Sequence, residues 1–156
     1  MTELTLPARA GERPMTQRVP PHLQLDQPSP DEIRERLTRW MGDHLPDTMS
    51  GSSEISVPGT VAYFLRPHVR PATGAVLMPP RYTAEYAHVH ADGSLHLCLA
   101  LADQQKLLDQ GWGERHPLYG QDNHEVMLYA PRTPDELDIA KTVIAACYRY
   151  ATGRTM

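Results

Sequence analysis

Histidine changes charge nearest to neutral pH of all side chains, and three of the chain's eight histidines crowd into one short segment, RYTAEYAHVHADGSLHLCLAL, residues 81–101. His88 and His90 precede Asp92-Gly93, a dipeptide that favours chain reversal, and His96 follows it. Two imidazoles at i, i+2 with a third across a hairpin can share one substrate proton or one ion. Which of these is available depends on register. A three-residue loop, Ala91-Asp92-Gly93 with Gly93 left-handed, pairs His90 with Ser94, His88 with His96 and Tyr86 with Cys98. One face then carries Tyr86, His88, His90, Ser94, His96 and Cys98, and the other Ala87, Val89, Leu95, Leu97 and Leu99. A slip of one residue would mix the faces, so the separating register is the expected one.

The loop GWGERHPLYGQDNHE adds Glu114, Arg115 and His116, and Tyr129 follows on the next apolar run. In an acid/base site, His88, His90, His96, Glu114 and His116 are the candidate catalytic groups. Tyr86, Ser94, Trp112, Arg115 and Tyr129 are the candidate substrate contacts, with Trp112 as a stacking wall and Arg115 or Tyr129 beside a developing oxyanion. No cofactor is expected. If an ion binds, its ligands are drawn from His88, His90, His96 and His116. Glu85 alternates onto the opposite face and is a poor ligand unless a bulge intervenes, and no Glu follows the His-x-His as a cupin site requires. Set against this, partly buried histidines bonded to backbone and to one another are the ordinary structural alternative. Cys98, between leucines, reads as a small hydrophobe and Cys147 as core, while His22, His44, His68 and His124 follow no pattern and read as solvent-facing or local caps.

The elements that must hold these groups are legible in outline. Residues 1–28, rich in proline and without period, read as a mobile arm, and residues 29–152 as a single domain. Ser29-Pro30-Asp31-Glu32 has the form of a capping box, opening an amphipathic helix over 30–44. Residues 47–53 read as loop, 55–57 and 60–65 as strands about Pro58-Gly59, 75–78 as a short apolar run, and 125–130 as a further strand. Asp103 is the expected cap of a short helix over 104–110 closed by Gly111. Thr133-Pro134-Asp135-Glu136 repeats the capping pattern before a helix running to about residue 151. The fold class is α+β: an antiparallel sheet packed on two longer helices and one short helix.

Composition narrows the partners. A net charge of −4 without a basic run argues against nucleic acid and anionic membranes, and no apolar run approaches the length of a spanning helix. The protein reads as cytoplasmic, with its two cysteines reduced. A sheet with one helical layer predicts a homodimer that covers the other face. The expected partner is otherwise a small-molecule substrate.

Three segments together carry a resemblance: Glu85 to Leu97 with its His88-Val89-His90 and Asp92-Gly93, Gly111-Trp112-Gly113-Glu114-Arg115-His116-Pro117, and Val126 to Arg132 followed by Asp135-Glu136-Leu137. Over about residues 85–151 the chain resembles the family of small bacterial and fungal proteins called the luciferase domain, after fungal luciferase. That enzyme oxidises a hydroxyhispidin, a styryl-pyrone, with O₂. The resemblance therefore implies a cofactor-independent oxygenase of an aromatic or polyketide-like compound. The same His/Glu pocket would serve a non-redox cyclase or isomerase of secondary metabolism, and a non-catalytic small-molecule-binding module is the reading from a different class. The fungal enzyme's N-terminal membrane segment has no counterpart here, so membrane association is not expected.

Overall fold

The computed structural model describes residues 3–156; Met1 and Thr2 of the expected arm lie outside the described residues. A single antiparallel sheet organises the chain. Its strands are β1 (Thr48–Ser52), β2 (Val61–Leu65), β3 (Glu85–Val89), β4 (Leu95–Cys98), β5 (Gly113–Arg115) and β6 (Glu125–Leu128), arranged β1-β2-β3-β4-β6-β5. Three helices, α1 (Asp31–His44), α2 (Leu101–Asp109) and α3 (Pro134–Thr152), complete the α+β fold.

The long helix α3 forms the core's second layer. Thr133 caps it by accepting from the Glu136 N–H at 3.1 Å, Pro134 occupies the first turn, and Gly153 ends it at φ +72°. Its buried stripe of Leu137, Ala140, Val143, Ile144, Cys147, Tyr148 and Ala151 lies on β3 and β4. There it meets Ala87, Val89, Leu95, Leu97 and Leu99, all removed from solvent. Burial of such side chains, at roughly 1.5–3 kcal/mol for each larger one, is what fixes the orientation of the hairpin. α1 presents Ile33, Leu37 and Met41 to the same core and packs against α3.

Several local expectations are corrected. Ser29 does not cap α1: Pro30 holds the cap position, and the Ser29 hydroxyl instead donates to the Pro131 carbonyl at 2.6 Å, tying the helix start to the end of β6. Asp103 does not cap α2, which begins at Leu101; its carboxylate accepts from the Leu4 N–H. Residues 48–52 form an edge strand where a loop was expected, and 55–57 are irregular. Residues 113–115, read as loop, pair with β6.

The N-terminal segment lies across the domain. Leu4 and Leu6 are buried in the core, the Trp112 indole N–H donates to the Pro7 carbonyl at 2.6 Å, and the Arg9 N–H donates to the Gln110 carbonyl. Farther along, Thr16 bridges to Gln24, and the Gln24 side chain accepts from the Ala130 N–H at 3.0 Å. Residues 3–28, read from composition as mobile, are thus tied to α2, β5 and the end of β6.

Candidate functional site

The hairpin turn has the expected three-residue form. The His90 N–H donates to the Ser94 carbonyl at 2.8 Å, and Gly93 sits at φ +93°. A Cβ at Gly93 would meet the Ser29 side chain at 2.1 Å, so both conformation and space require glycine. His88 pairs directly with His96. The strand does not alternate strictly at its start, because a bulge interrupts the β2–β3 pairing beside Tyr63 and Phe64. The extra residue returns Glu85 to the histidine side, where its Oε2 lies 2.6 Å from His88 Nδ1. The same bulge turns Tyr86 the other way: its ring packs edge-on against Tyr148 of α3 and its hydroxyl meets Thr48. Tyr86 belongs to the core rather than to the histidine face.

His96 is the hub. The rings of His88, His90, His22 and His116 lie 5.1, 4.7, 4.9 and 5.1 Å from it. His22, read as patternless, is delivered by the arm and is only 2% exposed. A continuous chain of contacts results. Glu85 Oε2 meets His88 Nδ1 at 2.6 Å, His88 Nε2 meets His96 Nδ1 at 3.0 Å, His96 Nε2 meets His22 Nδ1 at 2.8 Å, and His22 Nε2 meets Glu114 Oε2 at 2.9 Å. Glu114 also accepts from the hydroxyls of Thr16 and Tyr129, each at 2.9 Å. His90 turns Nδ1 to the Ser94 hydroxyl at 2.9 Å.

These rings floor a cavity of about 510 Å³. Its walls are Pro20, Pro21 and Leu23 of the arm, Ile55, Ser56 and Val57, Pro79, and Leu118 and Asn123; His22, His88, His90, His96, His116 and Glu125 complete the lining. Of the expected substrate contacts, none lines it. Trp112 is 5% exposed and lodged in the core, Arg115 lies over the Tyr119 ring at 4.8 Å, Tyr129 holds Glu114, and Ser94 holds His90. Tyr129 and Ser94 thereby support the site from behind. His44, His68 and His124 stand apart, against Trp40, Asp47 and Tyr119.

Burial dominates the electrostatics. It pushes His88 down to about 3 and His90 and His116 down to about 4, with His96 lower than its ordinary value as well. At neutral pH these rings are uncharged. Burial would raise the Glu114 carboxyl, but hydrogen bonds from His22, Tyr129 and Thr16 outweigh it and hold that carboxyl below its usual range. Burial raises Cys98, and Cys147 to about 12, so neither thiol is a thiolate nucleophile. Ring nitrogens of His88, His90 and His96, and separately of His22, His96 and His116, lie within 4.8 Å of one another, close enough to hold a cofactor metal.

Sequence reading missed Glu125. It sits on β6 opposite Cys98, lines the cavity, and accepts from the Asn123 side chain at 2.8 Å. Burial raises its carboxyl to about 7, against an ordinary 4.5. The signal that could have found it is a carboxylate heading an apolar strand. Between about pH 4.5 and 7 the folded protein therefore holds a proton that the unfolded chain has released, so stability falls as pH rises through this window and is flat above it. Glu125→Gln keeps an acceptor for Asn123 and cannot ionise. It is expected to stabilise the protein at pH 8 by up to about 3 kcal/mol and to flatten the decline in Tm between pH 5 and 8. Melting curves that decline equally in both proteins would refute this assignment.

The cavity has an imidazole floor and largely apolar walls, carried by an α+β sheet. Comparison with known proteins relates this fold and site to a family. Residues 83–147 match the family described as the luciferase domain. The chain is 33% identical to a luciferase of Armillaria gallica and 30% identical to one of Neonothopanus nambi, in each case over 95% of its own length. A luciferase of Armillaria mellea is 38% identical over 80 residues, 47% of this chain and 30% of that one. The segment 83–147 is a luciferase domain by this match, and the chain spans 62% and 61% of the first two relatives' lengths. No solved structure matches it. Among the described residues, no helix is long and apolar enough to cross a membrane.

Proposed function

We propose that the protein is a small-molecule enzyme whose reaction takes place in the histidine-floored cavity: oxygenation by O₂ of an electron-rich aromatic or polyketide-like compound, begun by removal of a phenolic or enolic proton. The observation that carries this reading is the pairing of apolar walls with a buried floor of proton acceptors. An anion formed there is shielded from water, and the anion rather than the neutral molecule is rich enough in electrons to react with O₂ directly. No organic cofactor is needed for that step. Glu125, poised near neutrality, can both take and return a proton, and His116 faces the same space. The name luciferase, borne by the fungal relatives, supports an oxidative reaction.

Oxygen-electrode measurements with hispidin-like pyrones test it. Saturable O₂ uptake is expected, falling about 100-fold in Glu125→Gln and in His116→Ala. Turnover of the true substrate under strict anaerobiosis would sink the oxygenase and leave a cyclase or isomerase. Uptake unchanged in both variants would remove the cavity from the reaction.

A further inference from the structure

We infer that His88, His90 and His96 form a three-histidine site for one divalent transition-metal ion at the floor of the cavity. The argument is an accounting of ring nitrogens, begun from the partners that orient them. Glu114, which also accepts from the hydroxyls of Tyr129 and Thr16, lies 2.9 Å from His22 Nε2, so His22 presents Nδ1 to His96. His22 Nδ1 lies 2.8 Å from His96 Nε2, which leaves His96 Nδ1 facing His88. The Ser94 hydroxyl donates to Asp92 at 2.6 Å, so its oxygen accepts from His90 Nδ1 and the lone pair of His90 is on Nε2. Glu85 lies 2.6 Å from His88 Nδ1 and takes the Ser53 hydroxyl at 3.1 Å from each of its oxygens, so His88 turns Nδ1 to this carboxyl and presents Nε2 to His96.

His88 Nε2 and His96 Nδ1 face each other at 3.0 Å. Two ring nitrogens so placed can share a proton or, together with a third, hold a cation. A third free ring nitrogen belongs to His90, and the three rings can each place a nitrogen within 4.8 Å of the others. Tetrahedral zinc, with nitrogen at ~2.0–2.1 Å, wants ligand atoms roughly 3.3 Å apart, which small ring rotations supply. Every remaining N–H already points to a carboxylate, a hydroxyl backed by a carboxylate, or an imidazole backed by one, the outer support that metal-bound histidines have. An all-imidazole donor set selects zinc, iron, cobalt, nickel or copper over magnesium or calcium. All three rings line the cavity, so a fourth position opens toward an anionic substrate oxygen. The second triad is less suited, because His116 Nδ1 accepts from the Leu118 N–H, placing its proton on Nε2.

This inference does not rest on the oxygenase reading, and its readout is the ion itself. Full-length protein purified without a histidine tag, stripped with chelator and titrated with Co²⁺ is expected to bind one equivalent and to show the visible ligand-field bands of nitrogen-ligated cobalt. Ser94→Ala is expected to weaken binding about 10–100-fold, His90→Ala to abolish it, and His116→Ala to retain it, with circular dichroism confirming that each variant is folded. Folded wild-type protein that takes up no stoichiometric ion would overturn the site and leave the three rings joined only by a proton shared along the chain from Glu85 to Glu114. Binding kept in His90→Ala and lost in His116→Ala would overturn it in favour of the other triad. Ion binding without O₂ uptake leaves the site standing and the oxygenase fallen; uptake without ion binding does the reverse.

Discussion

A chain begun at Ser29 is expected to lose on the order of 5 kcal/mol of stability and the arm-side wall of the cavity. Leu4 and Leu6 are buried, each contributing about 1.5–3 kcal/mol. Their removal also leaves the Trp112 indole without the Pro7 carbonyl and the Ala130 N–H without Gln24. Against the 5–15 kcal/mol that holds a typical domain together, such a loss approaches unfolding. His22→Ala isolates the local part: His96 Nε2 and Glu114 Oε2 lose their shared partner, at about 1–3 kcal/mol for the unpaired buried group. Urea denaturation of the three proteins checks this. A truncated chain with the full-length midpoint and slope would mean that the arm is ornamental. That the similarity to the Armillaria gallica luciferase covers 95% of this chain agrees with an arm integral to the domain.

Gly113→Ala is expected to destabilise the protein by about 3 kcal/mol or more and to dismantle the Glu114 end of the site. A Cβ there would stand 2.0 Å from the Met127 carbonyl oxygen and 2.7 Å from Leu107 Cδ2. Neither backbone of the partner strand nor a fully buried leucine can yield by that much. β5 would have to leave β6, and Glu114, paired beside Met127, would move away from His22 and Tyr129. Gly42→Ala is the control, since nothing lies within 4 Å of a Cβ there and alanine in the last turn of α1 is favoured by up to about 1 kcal/mol. A Gly113→Ala protein within about 0.5 kcal/mol of wild type in guanidinium melts would refute the packing argument.

The hairpin was readable because its chemistry is polarised: leucines and valine on one face, histidines on the other, and a glycine where the turn needs a positive φ. The stripe of α3 was readable for the same reason. What escaped has physical causes. Tyr86 is apolar in body and polar at its tip, so alternation placed it with the histidines, and a one-residue bulge then exchanged it with Glu85. β1, TMSGS, is an exposed edge strand with no buried alternation to betray it. His22 sits among prolines with no period, and only tertiary packing gives it a place. Glu125 and Ser29 were visible as residues, but their partners, Asn123 and the Pro131 carbonyl, follow from local or distant geometry that spacing does not encode.

The arm also sets an order of events during synthesis. Its residues leave the ribosome before any of the groups that receive them: His22 waits for a ring 74 positions later, and Pro7 for an indole 105 positions later. Contacts closing such long loops come late in folding. The arm, made before the sheet it covers, is therefore the last to dock, and the cavity is walled on that side only after the sheet beneath it is complete.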